Sequence, residues 1–181
     1  MRELIVDVAN SWHNYYKLKH ISKEHPTDRL INTKLVSALV NVNKLHGFSE
    51  MHVDSSSGEG NITLAPWLAS FDTKITRSAT KGFYVVFLFS TDMKRLVLEL
   101  GLGATQFTKF YGQNNTALSK ISDAAKLMHS YCENLLHDNF PNDFSNKLSS
   151  SAPKITDKKG YSLQRGYEEG SIVTGSVKMP P

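Results

Sequence analysis

The hydrophobic positions change their period twice along the chain. Leu4, Ile5, Val8, Trp12 and Tyr15 recur three or four residues apart, which predicts an amphipathic helix. A polar break from His20 to Asp28 follows, in which Pro26 either ends that helix or opens the next, and Thr27 or Asp28 is the candidate N-cap. Leu30, Ile31, Leu35, Leu39, Val42 and Leu45 mark a second helix closed by Gly47. Two helices are therefore expected within residues 1–46. The period then shortens. Residues 48–53 alternate as a half-buried strand does, and 55–61 read as a polar, glycine-bearing turn. Residues 65–71 predict a second strand, 72–81 a loop, 82–89 a nearly continuous apolar central strand, and 95–100 a fourth strand after a turn at 90–94.

Helical spacing returns in the last third. Ala117, Ile121, Ala124, Ala125, Leu127, Met128, Tyr131, Leu135 and Leu136 fit one long helix over about 115–137. The tail, 141–181, reads as irregular and polar, with short strands near 161–163 and 171–173. The order of elements predicts an α+β fold. A curved, mainly antiparallel sheet from region 47–101 would be flanked by the N-terminal helices and by one long helix of the C-terminal half.

A chain of 181 residues fits one domain, 1–181, able to bury a core without cross-links. A single cysteine, Cys132, excludes an internal disulfide framework. It lies in a helical pattern and reads as a small buried hydrophobe, although His129 three residues earlier leaves a nucleophile formally open. The N-terminus lacks the features of a secretory signal, and no run of 18 apolar residues occurs, so a cytoplasmic protein without a membrane span is expected. The formal charge of +4 permits a nucleic-acid partner without requiring one.

Familiar catalytic and cofactor motifs are missing. The histidines form no HxH or HExxH pair, and Gly101-Leu102-Gly103-Ala104 lacks the lysine and hydroxyl of a phosphate-binding loop. There is no GxGxxG fingerprint, no GxSxG elbow and no convincing carboxylate–lysine set for a metal-dependent nuclease. No catalytic residue, metal or cofactor is assigned, which moves the reading from enzyme towards binding module.

The segment from Ser55 to Phe89 is the richest in chemistry. Gly58-Glu59-Gly60-Asn61 suits either a tight connection or a close backbone approach to a partner. Trp67, Tyr84 and Leu88 would form a core cluster or an aromatic-walled pocket; periodicity allows both. Lys74, Arg77 and Lys81 alternate with Thr76, Ser78 and Thr80, a mixture suited to phosphate oxygens and equally to a solvated loop. Lys154, Lys158, Lys159 and Arg165 form a second basic group.

Three runs in this segment stand in a recognisable order: Ser56-Ser57-Gly58-Glu59-Gly60-Asn61, Pro66-Trp67-Leu68-Ala69-Ser70-Phe71-Asp72, and Ile75 to Phe89. Leu98-Glu99-Leu100, a Gly103-Ala104-Thr105-Gln106-Phe107 turn and Gly166-Tyr167-Glu168-Glu169-Gly170-Ser171-Ile172 continue the series. The chain thereby resembles the N-terminal DNA-binding domain of McrB-like, modification-dependent restriction proteins, over most of its length. The resemblance implies double-stranded DNA, and modified DNA in particular, as partner. It also implies base flipping, with the extruded base held in a pocket. The pocket walls map to Trp67, Tyr84 and Leu88. A pocket tyrosine between the two glycines of the best-understood member is replaced by Glu59, which cannot stack but can accept from a cytosine amino group. Ser57, Asn61, Lys74, Arg77, Ser78 and Lys81 are the implied backbone contacts.

Such domains precede a GTPase or nuclease, neither of which these residues contain. A stand-alone reader, or a piece of a longer restriction protein whose cleavage parts lie elsewhere, fused or separate, is expected. A sequence-specific reader of unmodified DNA, a small nuclease and a protein-interaction adaptor remain the competing readings.

Overall fold

The computed structural model describes residues 1–139 and 162–179. The second basic group at Lys154, Lys158 and Lys159 lies outside the described residues, as does Tyr161; of the short strand expected over 161–163, Ser162 instead caps a helix that Leu163 opens.

Helix α1 (Arg2–Tyr16) buries the predicted stripe of Val8, Trp12 and Tyr15, together with Ala9. The next helical run has three parts. Pro26 opens α2 (Pro26–Arg29), and the cap is His25, whose Nδ1 accepts from the Thr27 N–H at 3.2 Å. Thr27 and Asp28, the expected caps, are instead buried within this first turn. A π-helical segment (Leu30–Leu35) then leads into α3 (Val36–Leu45), so the single helix expected from Leu30 contains a change of winding. Ile31, Leu35 and Leu39, spaced by four, all stay buried across it.

The sheet is an open, curved, five-stranded meander. Its strands are β1 (Met51–Glu59), β2 (Asn61–Asp72), β3 (Phe83–Phe89), β4 (Arg95–Leu102) and β5 (Ser171–Lys178). They lie in the order β1-β2-β3-β4-β5, and each pair is antiparallel. Successive side chains alternate between faces. One face carries Val53, Leu68, Phe89 and Leu96 into a core shared with α1, the π segment and α3. Leu102 and Val173 pack on Ala125 of the long helix α5 (Asn115–Asn139), with Cys132 half-buried at the margin. The other face gathers Ala69, Phe71, Tyr84, Val86, Leu88 and Val97.

Three expectations change. The polar turn at 55–61 is much shorter, because β1 runs to Glu59 and β2 starts at Asn61, leaving Gly60 at the tip. Gly58 makes this possible: its φ is +133°, and a Cβ there would stand 2.0 Å from the Asn61 carbonyl oxygen. The Gly103–Phe107 turn is the opening of a helix, α4 (Ala104–Tyr111). The tail is partly regular, with α6 (Leu163–Glu169) capped by the Ser162 hydroxyl. The polar β5, longer than the expected 171–173, follows it as the fifth strand.

Candidate nucleic-acid interface

Register brings the predicted pocket residues to one sheet face. Trp67 stands opposite Leu88, and Leu88 opposite Val97. One step along, Ala69 faces Val86 and Val86 faces Glu99. Beyond that, Tyr84 faces Gly101, and its ring lies 4.9 Å from that of Phe71. Two rows with large side chains thus flank a row in which Ala69 and Val86 are short. Tyr84 and Leu88 are 4% and 1% exposed, whereas Trp67 is only half-buried. Burial pushes the Tyr84 hydroxyl well above the ordinary phenol range, with Tyr167 and Glu99 nearby adding to the effect.

The loop between β2 and β3 is ordered by its own polar groups. Asp72 Oδ1 accepts from the Lys74 N–H at 2.9 Å, and Thr76 Oγ1 accepts from the Ser78 N–H at 3.1 Å. The Ser78 and Thr80 hydroxyls are 2.8 Å apart. Gln106 of α4 ties the loop's end, its backbone N–H donating to the Thr80 carbonyl at 2.9 Å and its Oε1 accepting from the Gly82 N–H at 3.3 Å. Gly103 admits this docking, since a Cβ there would meet the Lys81 nitrogen at 2.4 Å. Lys74, Arg77 and Lys81 are left exposed on a fixed support. The loop also touches the aromatic cluster, because the Tyr84 hydroxyl donates to the Ala79 carbonyl at 2.8 Å and Ala79 packs against the cluster.

The glycine turn divides its residues. Glu59 and Asn61 are exposed and paired across the hairpin tip. Glu59 lies three residues beyond Ser56, the register partner of Trp67. The tip is pinned to the segment after α1, with the Ile62 N–H donating to the Lys19 carbonyl and the Ile21 N–H to the Gly60 carbonyl. Ser57 is turned inward and is 2% exposed. Its hydroxyl donates to Asp28 Oδ1 at 2.6 Å and accepts from Asn32 Nδ2 at 3.0 Å, so it fastens β1 to the helices instead of facing a partner.

Sequence reasoning passed over Glu99. It is 3% exposed in β4, in the row between Trp67 and Tyr84, and burial raises its carboxyl to about 8. Glu168 nearby raises it further, while the Ser171 hydroxyl pulls the other way without a hydrogen bond of normal geometry. A carboxylate inside an otherwise apolar strand, Arg-Leu-Val-Leu-Glu-Leu-Gly-Leu, was the signal that could have found it.

One face of the antiparallel sheet thus carries an aromatic cluster, and the β2–β3 loop bonded to it leaves three cations exposed. Among the described residues no group of three or more His, Cys, Asp or Glu could hold a metal ion, and no helix is long and apolar enough to cross a membrane. Residues 7–178 match the family described as MrcB-like, N-terminal domain, and the chain belongs to that family. This membership supports a DNA-binding module of a restriction system, as opposed to a catalytic domain. No curated protein and no solved structure matches the chain.

Proposed function

We infer that the chain reads a modified base, a modified cytosine, in double-stranded DNA by drawing it out of the stack into the Trp67–Tyr84–Leu88 cluster. One observation carries this reading: the register sets the three residues on one face, on either side of a row in which Ala69 and Val86 are short, and the same face is joined to the cationic loop. Trp67 and Tyr84 stack on the base, recovering part of the unstacking cost, and Leu88 meets the base or its substituent. Access runs past Trp67, the half-buried member of the three. Glu59 tests the polar edge from the hairpin tip. Lys74, Arg77, Ser78, Lys81 and Asn61 hold the phosphate backbone. Cleavage of the DNA belongs to a GTPase or nuclease part, fused or separate, and the module works in the cytoplasm.

A second reading is favoured by the deep burial of Tyr84 and Leu88. On it the cluster is core, and the same loop and hairpin read unmodified DNA by sequence. Band shifts with otherwise identical duplexes carrying cytosine, 5-methylcytosine or 5-hydroxymethylcytosine separate the two. Base reading predicts a preference for one modified duplex that Trp67→Ala reduces at least tenfold. Equal binding to all three duplexes, unchanged by Trp67→Ala, overturns it.

A further inference from the structure

Glu99 is a buried carboxyl in the row between Trp67 and Tyr84, unlike the exposed Asp54 at the β1 end of that row, and its placement is unusual on three counts. Its strand neighbours across the sheet are Val86 and Thr174, and neither is a charge partner. Its carboxyl leans along the strand over Gly101: a Cβ at position 101 would stand 2.6 Å from Glu99 Oε1. Gly101 is the register partner of Tyr84, so the missing side chain makes room for a carboxyl beside the proposed stacking ring. Among the described residues Glu99 Oε2 has no hydrogen-bond partner, although the group is 3% exposed. Buried polar atoms are almost always paired, and an orphan calls for an explanation. A ligand that brings its own donor or acceptor supplies one.

We propose that Glu99 is a specificity-determining residue of this pocket, which hydrogen-bonds the polar edge of the extruded base through Oε2. The assignment rests on the base-reading function above. A base held between the row of Trp67 and Leu88 and the row of Tyr84 and Phe71 lies over Ala69, Val86 and Glu99, so its edge can meet the carboxyl while its faces meet the rings. The buried carboxyl keeps its proton at neutral pH, its value being about 8. A neutral carboxyl both donates and accepts. Cytosine offers, side by side, N3 as acceptor and the N4 amino group as donor, and the two patterns match. Glu59, exposed at the hairpin tip, is then free to act nearer the rim.

The groups facing Glu99 do not supply that match themselves. Tyr84 of β3 donates to Ala79, and the Ser171 hydroxyl of β5, near enough to lower the carboxyl, makes no hydrogen bond of normal geometry with it. Glu168 of α6 raises the carboxyl.

The test compares Glu99→Leu, Glu99→Gln and Trp67→Ala against three duplexes: one with a central 5-methylcytosine, one with unmodified cytosine, and one with an abasic site, which permits extrusion but has no base edge. Thermal melts first establish that each variant folds. Glu99→Leu is expected to lose at least tenfold in preference for a base-containing duplex over the abasic one, with abasic binding unchanged. Glu99→Gln, which keeps a donor and an acceptor, is expected to retain most of it. In the wild type the preference should fall between pH 7 and 9, as the carboxyl loses its donor, and should stay level in Glu99→Gln; this arm decides the matter if Glu99→Leu does not fold. Preference retained in Glu99→Leu, or a level wild-type pH profile, overturns the role of Glu99. If Trp67→Ala abolishes the preference in that case, the pocket reading survives alone; if Trp67→Ala also changes nothing, both fall.

Discussion

Glu99 ties stability to pH through one atom group. In the folded chain its carboxyl holds a proton to about pH 8, against an ordinary value of 4.5. Between those limits the folded state binds more protons than the unfolded one, so this group's contribution to stability falls as pH rises from about 4.5 to about 8. Urea unfolding at pH 5.5 and 8.5 should therefore show a loss in the wild type, on the order of a few kcal/mol, that Glu99→Gln lacks. An equal loss in both would assign the pH dependence to other groups. The sequence made this residue hard to see because alternation in Arg95–Leu102 is apolar on both faces, and only the register with Val86 tells which face Glu99 joins. Trp67, Tyr84 and Leu88 stood out by motif, yet their spacing was equally that of a core, since one chain does not display the pairing of Trp67 with Leu88. Ser57 misled for a related reason. The resemblance named it as a backbone contact, but Asp28 and Asn32, distant in sequence, draw its hydroxyl inward.

Among the elements, the β2–β3 loop converts local chemistry into a surface. Its Asx- and Thr-type turns were legible in Asp72-Thr73-Lys74 and Thr76-Arg77-Ser78, whereas its anchor on α4 was not. Helix α4 went unread because Ala-Thr-Gln-Phe-Thr-Lys-Phe-Tyr is short and mixes β-branched and aromatic residues of modest helix propensity. The strand β5 was underestimated because its last residues are polar or exposed, as befits an edge. The fixed loop leads to a quantitative expectation. If Lys74, Arg77 and Lys81 each neutralise one phosphate, replacing any one with Ala lowers the slope of log affinity against log salt by about 1, with little change in base preference. An unchanged slope in the triple Ala variant would place the DNA backbone elsewhere on the molecule.

The molecule as a whole is a meander closed by a late return of the chain. The sheet's alternation and the helical stripes of α1, α3 and α5 were readable from period alone, because each buries one face. The closing strand depends on contacts that period does not encode: Gly166 packs on Ala104 so tightly that a Cβ would stand 2.9 Å from it, and Gly170 lies against Leu102 and Ile121. Ending the chain at Gly170 would strip β4 of its outer partner and remove Ile172, which is fully buried. Such a chain should lose cooperative unfolding and tend to self-associate through the bared edge, measurable by calorimetry and light scattering. The same connectivity sets an order in time. The strands β1 to β4 meet through short connections, whereas β5 must return to β4 after residues 103–170. Closing so long a loop costs entropy before any contact rewards it. In pulsed amide exchange during refolding, β1–β3 should gain protection first and β5 last, so that the molecule assembles its reading face from one side and locks it from the other.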